Sequence, residues 1–163
     1  MPRRVVKSRE VSARSGRLRV STVRDEGPPV LELAGEFDLD TVPEIDRFLR
    51  RTLGPLYHQD HLVIDLARTT FVDSSFIGFL VKLSAAQRAE RRELLLVRPA
   101  GQVRRLLALV GLPNVVPVFD TVDAARGSVA GGQVSVPLGL GRSSDLWHAQ
   151  LLAEGGRVRE WRG

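Results

Sequence analysis

Apolar residues change their spacing several times along this 163-residue chain, and each change marks an expected element. Leu18, Val20 and Val23 recur among polar residues, and Leu31 and Leu33 do so again after the turn-forming run Asp25 to Pro29. This pattern predicts two antiparallel strands at one side of a sheet. Thr41-Val-Pro-Glu44 has the form of a capping box with proline in the first turn; Ile45, Phe48, Leu49, Leu53 and Leu56 then follow at helical spacing. A first helix is expected there, with one face on the sheet. Leu62 to Leu66 is a nearly continuous apolar run of strand length, the signature of a central parallel strand covered on both faces. A second helix follows from Ser74 or Ser75 to about Ala89, with Ile77, Leu80, Val81 and Leu83 packed and Lys82, Gln87 and Arg88 facing out.

Glu93 to Val97 reads as another short strand, stopped by Pro99, and Val103, Leu106, Leu107 and Val110 mark a third helix closed by Gly111. Val115 to Phe119 is the last expected strand, with Pro117 suiting it to an edge, and a short helix should run from Thr121 to about Arg126. Strand and helix alternate from Leu62 onward, which argues for α/β packing with right-handed crossovers. After Gly127 comes the Gly-rich run SVAGGQVSVPLGLG, then SSDLWHAQLLAEG, which suits a short amphipathic helix capped by Ser144. The expected organisation is a basic arm over 1–17, one domain over 18–126, and a Gly-rich linker and tail over 127–163.

Composition narrows the chemistry. A chain of this length with 43% hydrophobic residues can bury one sizeable core. The absence of cysteine excludes disulfides, a thiolate nucleophile and Cys-based zinc sites. The net charge of +5 sits at the ends: residues 1–17 carry six cations against Glu10, whereas 18–126 are close to neutral. Without interleaved aromatic residues, the basic arm is expected to be solvated and not to bind nucleic acid. No window approaches the roughly 20 apolar residues of a membrane helix, and the N-terminal segment has no apolar signal core, so a cytoplasmic protein without membrane contact is expected.

Enzyme signatures are scarce. Neither Ser74 nor Ser75 lies in a Gly-x-Ser-x-Gly elbow. A phosphate loop ending at Arg142-Ser143 would need glycine at Val136 and lysine at Arg142, and a dinucleotide fingerprint from Gly139 fails at Ser144. His58 and His61 flank Gln59-Asp60 but have no third ligand at metal-site spacing, so no metal and no cofactor is expected. Glu36, Asp38 and Asp40 form an acidic cluster best explained as a polar loop leading into Thr41. Asp73-Ser74-Ser75 differs from these. A helix cap needs one side chain, yet three consecutive polar groups stand at the carboxyl end of a parallel strand, where open α/β sheets place ligand sites. The helix N–H groups there also favour an added phosphate.

GEFDLDTVP, LVIDLARTTFVDSS and LLLVRPAGQVRRLLALVGL, in this order and spacing across residues 18–126, resemble STAS domains, in particular the bacterial anti-sigma factor antagonists. The resemblance implies an α/β fold, a mixed sheet of about five strands flanked by about four helices. It implies a non-enzymatic protein that binds an anti-sigma factor with serine kinase activity and so releases a sigma factor. The family's phosphoacceptor, the second serine of its Asp-Ser-Ser motif, falls on Ser75, so phosphorylation there would switch binding off and a serine phosphatase would reset it. Asp73 and Ser74 adjoin the acceptor, and the acidic loop matched by Glu36 and Asp38 lies beside it in the family. The family usually continues Gly-Leu-Gly, where this chain has Phe76-Ile77-Gly78. Phe76 is therefore expected to place a bulky side chain beside the acceptor, at the partner contact, and to hinder phosphorylation. Two alternative readings are a STAS scaffold subunit of a larger signalling assembly, with Ser75 inert, and a STAS module that binds a small ligand or nucleotide. A hydrolase using the Asp/Ser cluster lacks a base at suitable spacing.

Overall fold

A computed structural model describes residues 6–13, 16–23 and 27–130, without the side chains of 6–13 and 20–23. The expected linker from 131 onward and the helix capped by Ser144 lie outside the described residues. Among the described residues six strands form one sheet: β1 (Val6–Ala13), β2 (Gly16–Val23), β3 (Val30–Phe37), β4 (Leu62–Val72), β5 (Leu94–Val97) and β6 (Val118–Phe119). Four α-helices accompany them among the described residues: α1 (Val42–Leu53), α2 (Ser74–Ala89), α3 (Gly101–Leu109) and α4 (Val122–Val129). Strand order in the sheet equals chain order; β1 to β3 are antiparallel neighbours and β3 to β6 parallel ones. Among the described residues no helix is long and apolar enough to cross a membrane.

The α/β class, the mixed sheet and the four helices agree with the sequence reading, while the sheet gains one strand. Residues 6–13, read as part of a solvated arm, pair with β2 from Val6↔Val23 to Ala13↔Gly16. The segment VKSREVSA has no continuous apolar face to announce a strand, and its backbone ladder positions it. At the β2–β3 pairing, Gly16 is required by contact: a Cβ there would lie 1.9 Å from the Ala34 carbonyl oxygen.

Helices α1, α2 and α3 cover one sheet face. Ile45, Phe48, Leu49, Ile77, Leu80, Val103 and Leu107 pack there with Leu18, Leu31, Leu33, Ile64, Leu66 and Leu96. The other face is covered by α4, which lays Ala125 and Val129 over Val30, Val63, Leu95 and Val97. This helix runs three residues past the expected boundary at Arg126, because Val129 still has apolar sheet beneath it. The Arg126 guanidinium anchors it by donating to the Pro28 carbonyl oxygen at 3.2 Å.

Four local expectations are corrected. Thr41 does not close a capping box: its hydroxyl accepts from the Asp38 N–H at 2.8 Å, and its own N–H turns back to the Asp38 backbone and carboxylate. Gln87 faces inward, fully buried, because its amide nitrogen donates to the Asp60 and Glu93 carbonyl oxygens. Arg88 is drawn in beside it by a 3.4 Å ion pair with Glu93. The last strand shrinks to two residues, since a 3-10 turn over Leu112–Asn114 takes the Val115 and Val116 N–H groups to the Leu112 carbonyl oxygen.

The central strand β4 is eleven residues long and carries two irregularities against β3. Glu32 pairs with Asp65 but Ala34 with Arg68, and Gly35 pairs with Thr69 but Glu36 with Phe71, so β4 has one extra residue at each step. Gly35, at φ 106°, supplies the backbone conformation of the second step. Each bulge exposes two adjacent residues, Ala67 with Arg68 and Thr70 with Phe71. Hydroxyls satisfy the disturbed ladder: Thr69 donates to the Leu33 carbonyl oxygen at 2.8 Å and Thr70 to that of Gly35 at 3.2 Å.

Candidate functional site

The second bulge delivers β4 to the start of α2 with Asp73 in extended conformation as the N-cap. One oxygen of its carboxylate accepts from the Ser75 N–H at 2.9 Å and the Phe76 N–H at 3.2 Å. These are two of the donors that a helix start leaves unpaired, so Asp73 performs the capping function by itself. Its other oxygen accepts from the Leu39 N–H at 3.1 Å, and its own N–H donates to the Phe37 carbonyl oxygen at 3.3 Å. The loop after β3 is thereby tied to the start of α2.

Ser74 and Ser75 are half-buried, and neither hydroxyl makes a hydrogen bond among the described residues. The sequence left open whether this motif is a cap or a site for chemistry. The capping role falls to Asp73, which leaves both hydroxyls without a structural task.

Asp38 organises the neighbouring loop rather than pointing free. Its Oδ1 accepts from the Asp40 N–H at 3.0 Å and from the Thr41 N–H and hydroxyl, each at 3.1 Å. Glu36 is exposed at the end of β3, in register with Phe71, and its carboxylate makes no hydrogen bond among the described residues. Two residues that the sequence reading did not single out belong to the same region. Leu39 is 70% exposed and Phe71 44%, large apolar side chains beside the Asp73 cap and the Glu36 register position. The signals were an apolar residue inside the acidic run Asp38-Leu39-Asp40 and an aromatic one within a polar stretch of β4.

Phe76 does not stand at the surface. It is fully buried, with its ring centroid 6.2 Å from that of Phe37, because the first turn of α2 already faces the core on that side. The expected bulky contact beside the acceptor is therefore replaced by a core residue beneath it.

His58 and His61 lie apart from this region. His61 accepts the Glu93 N–H at its Nδ1, 2.9 Å away, which makes it a strand-end strut. Burial, followed by the nearby Arg92, holds its pKa below the ordinary value. Among the described residues no group of three or more His, Asp or Glu is arranged to hold a metal.

Residues 20–117 match the family model described as Mlab, STAS domain. Among solved structures, an anti-sigma factor antagonist from Mycobacterium paratuberculosis is 27% identical, superposes with a TM-score of 0.57, and is matched over 73% of this chain and 98% of its own. The anti-sigma factor antagonist SpoIIAA in its unphosphorylated form shares the fold at 21% identity and a TM-score of 0.53, over 70% of this chain and 98% of its own. The three sequence motifs, the sheet that carries Asp73-Ser74-Ser75 to a helix start, and a family match spanning most of the chain agree: this protein belongs to the STAS domain family.

Proposed function

We propose that this protein is an anti-sigma factor antagonist, an interaction protein rather than an enzyme. In this reading it binds a cytoplasmic anti-sigma factor that is also a serine kinase, and so frees a sigma factor. The kinase moves the γ-phosphoryl group of ATP to the Ser75 hydroxyl oxygen, releasing ADP and the hydroxyl proton, and a serine phosphatase restores the hydroxyl by hydrolysing the ester to inorganic phosphate. The observation that carries the reading is the division of labour at the start of α2: Asp73 takes the cap, and the Ser75 hydroxyl is unengaged. The likeness to the 27% identical anti-sigma factor antagonist from Mycobacterium paratuberculosis supports the same role.

Electrostatics supplies the switch. A phosphate adds about −1.5 to −2 charges and three acceptor oxygens next to Asp73. It would compete with that carboxylate for the same helix N–H groups, and the displaced Asp73 would release Leu39. Leu39 and Phe71, with Glu36 and Asp38 nearby, suit a partner surface that is apolar with a basic rim. One event at Ser75 thus changes both the charge and the shape of that contact.

The test is calorimetry of the full chain against an anti-sigma kinase encoded by the same genome, before and after incubation with ATP, together with mapping of the phosphate. Binding that is lost on phosphorylation of Ser75 is the expected result. Phosphate mapping only to other serines, or tight binding that persists after full modification of Ser75, would remove the switch.

A further inference from the structure

The sheet face under α4 changes character along its strands. Val30, Val63, Leu95 and Val97 are covered by α4, but further along β3 and β4 the same face presents Glu32, Ala34, Asp65 and Ala67. There, with Arg17 and Arg19 from β2, Arg68 from the first bulge and Arg98 from the end of β5, they line a pocket of about 330 Å³. Four guanidinium groups against two carboxylates leave this lining with a net charge of +2.

The charges are built in, not scattered. Asp65 is buried; one of its oxygens accepts from the Ala67 N–H at 3.0 Å and the other receives the Arg98 guanidinium. Arg98 has a left-handed backbone, φ 55°, unusual for a residue with a Cβ, and its N–H donates to the Phe119 carbonyl oxygen at 3.0 Å. Arg19 and Glu32 are 3.9 Å apart and both remain about half exposed. The Arg68 guanidinium is exposed and has no hydrogen bond or ion pair among the described residues.

We propose that this pocket binds a small phosphate monoester. Guanidinium groups present planar forks that match phosphate oxygens two at a time. A dianionic phosphate matches the net charge of the lining. Ala34 and Ala67, whose side chains are small, leave room for the organic part, and the volume lies at the lower end of the range for small-ligand sites, about 300–1,000 Å³. The pocket is on the face opposite α2, so the proposal stands independently of phosphorylation at Ser75.

The full chain is titrated with adenosine monophosphate, with adenosine as the uncharged control, while backbone amide resonances are followed by NMR. Adenosine monophosphate should shift Arg19, Glu32, Ala67, Arg68 and Arg98, and adenosine should not. Arg68→Glu should weaken binding about tenfold or more, and Arg19→Gln by a smaller factor. Arg104→Glu, at an exposed position of α3 across the sheet, should leave the affinity unchanged. Shifts confined to residues 1–13, an unchanged affinity in Arg68→Glu, or no shift at millimolar ligand would overturn the proposal. So would a polyglutamate peptide shifting these residues where adenosine monophosphate does not, because the surface would then be a protein-docking one.

Discussion

Asp73 holds Leu39 at 3.1 Å through one carboxylate oxygen while the other oxygen caps α2. A single side chain therefore fixes the helix start that bears Ser75 and the loop that bears an exposed leucine. Asp73→Ala should lower the unfolding free energy by about 1 to 2 kcal/mol, the scale of a lost cap, as a drop in the urea midpoint. Asp73→Asn retains an acceptor and should recover much of this. A midpoint unchanged in the alanine variant would mean that these bonds contribute nothing to stability.

Ser75→Ala should stay within about 0.5 kcal/mol of the parent, because its hydroxyl has no partner to lose, and should bind the anti-sigma factor persistently. Ser75→Glu should fold as well but bind more weakly, since its carboxylate stands beside Asp73. Ser74→Ala is the control for both stability and binding. Affinities measured by calorimetry decide the matter, and equal binding by Ser75→Glu and the parent would leave Ser75 without a switching role.

Phe76→Gly should be strongly destabilising, by about 3 to 5 kcal/mol, as removal of a fully buried ring leaves a cavity against Phe37. No faster phosphorylation of Ser75 is expected from opening this site, because Phe76 does not occupy the surface beside it. Thermal unfolding and a kinase time course on the folded fraction test the two halves separately.

His61 supplies a pH dependence whose sign follows from its environment. Its folded pKa lies below the ordinary 6.5, chiefly through burial, so the folded state binds fewer protons than the unfolded chain below that pH. Its contribution is fully present above about pH 6.5 and is lost as pH falls through the folded value. His61→Asn keeps an acceptor for the Glu93 N–H without the titration. The stability difference between parent and variant should therefore be flat above pH 6.5 and fall to the parent's disadvantage below it, in urea melts at stepped pH.

Tyr57 works in the opposite direction. Burial first, and then its 2.7 Å hydrogen bond to Asp46, raise the phenol pKa well above the usual 10.0. A raised folded pKa means stability present below about pH 10 and lost as pH rises further. It is the chain's single tyrosine, so absorbance reports it directly. The native protein should show no phenolate transition near pH 10, and the urea-unfolded chain should show one there.

Regular elements were legible in the sequence because their apolar spacing carried them: the β2–β3 hairpin, the alternation from Leu62 onward, and Gly111, which does adopt a left-handed conformation after α3. The motif at Asp73 was legible too, since polar residues at the junction of an apolar strand and an apolar helix stand out. What the spacing hid was of three kinds. The bulges in β4 place two exposed residues side by side, which breaks a two-residue period. Gln87 and Phe76 take positions opposite to those suggested by their polarity or their polar neighbours, because tertiary partners such as the Asp60 carbonyl and Phe37 decide them. The pocket around Asp65 draws arginines from positions 17, 19, 68 and 98, and only strand register brings them together.

Because strand order equals chain order, every described strand after β1 pairs with the one made just before it. A chain emerging from the ribosome never has to hold an unpaired strand open for a later insertion between two earlier ones. β2 can close on β1, and β3 on β2, while α1 is still being synthesised, and each later helix arrives with a sheet already waiting for its apolar side. The sheet can thus be laid down vectorially, at the pace of translation, and the slowest kind of strand pairing, insertion between distant segments, is not needed.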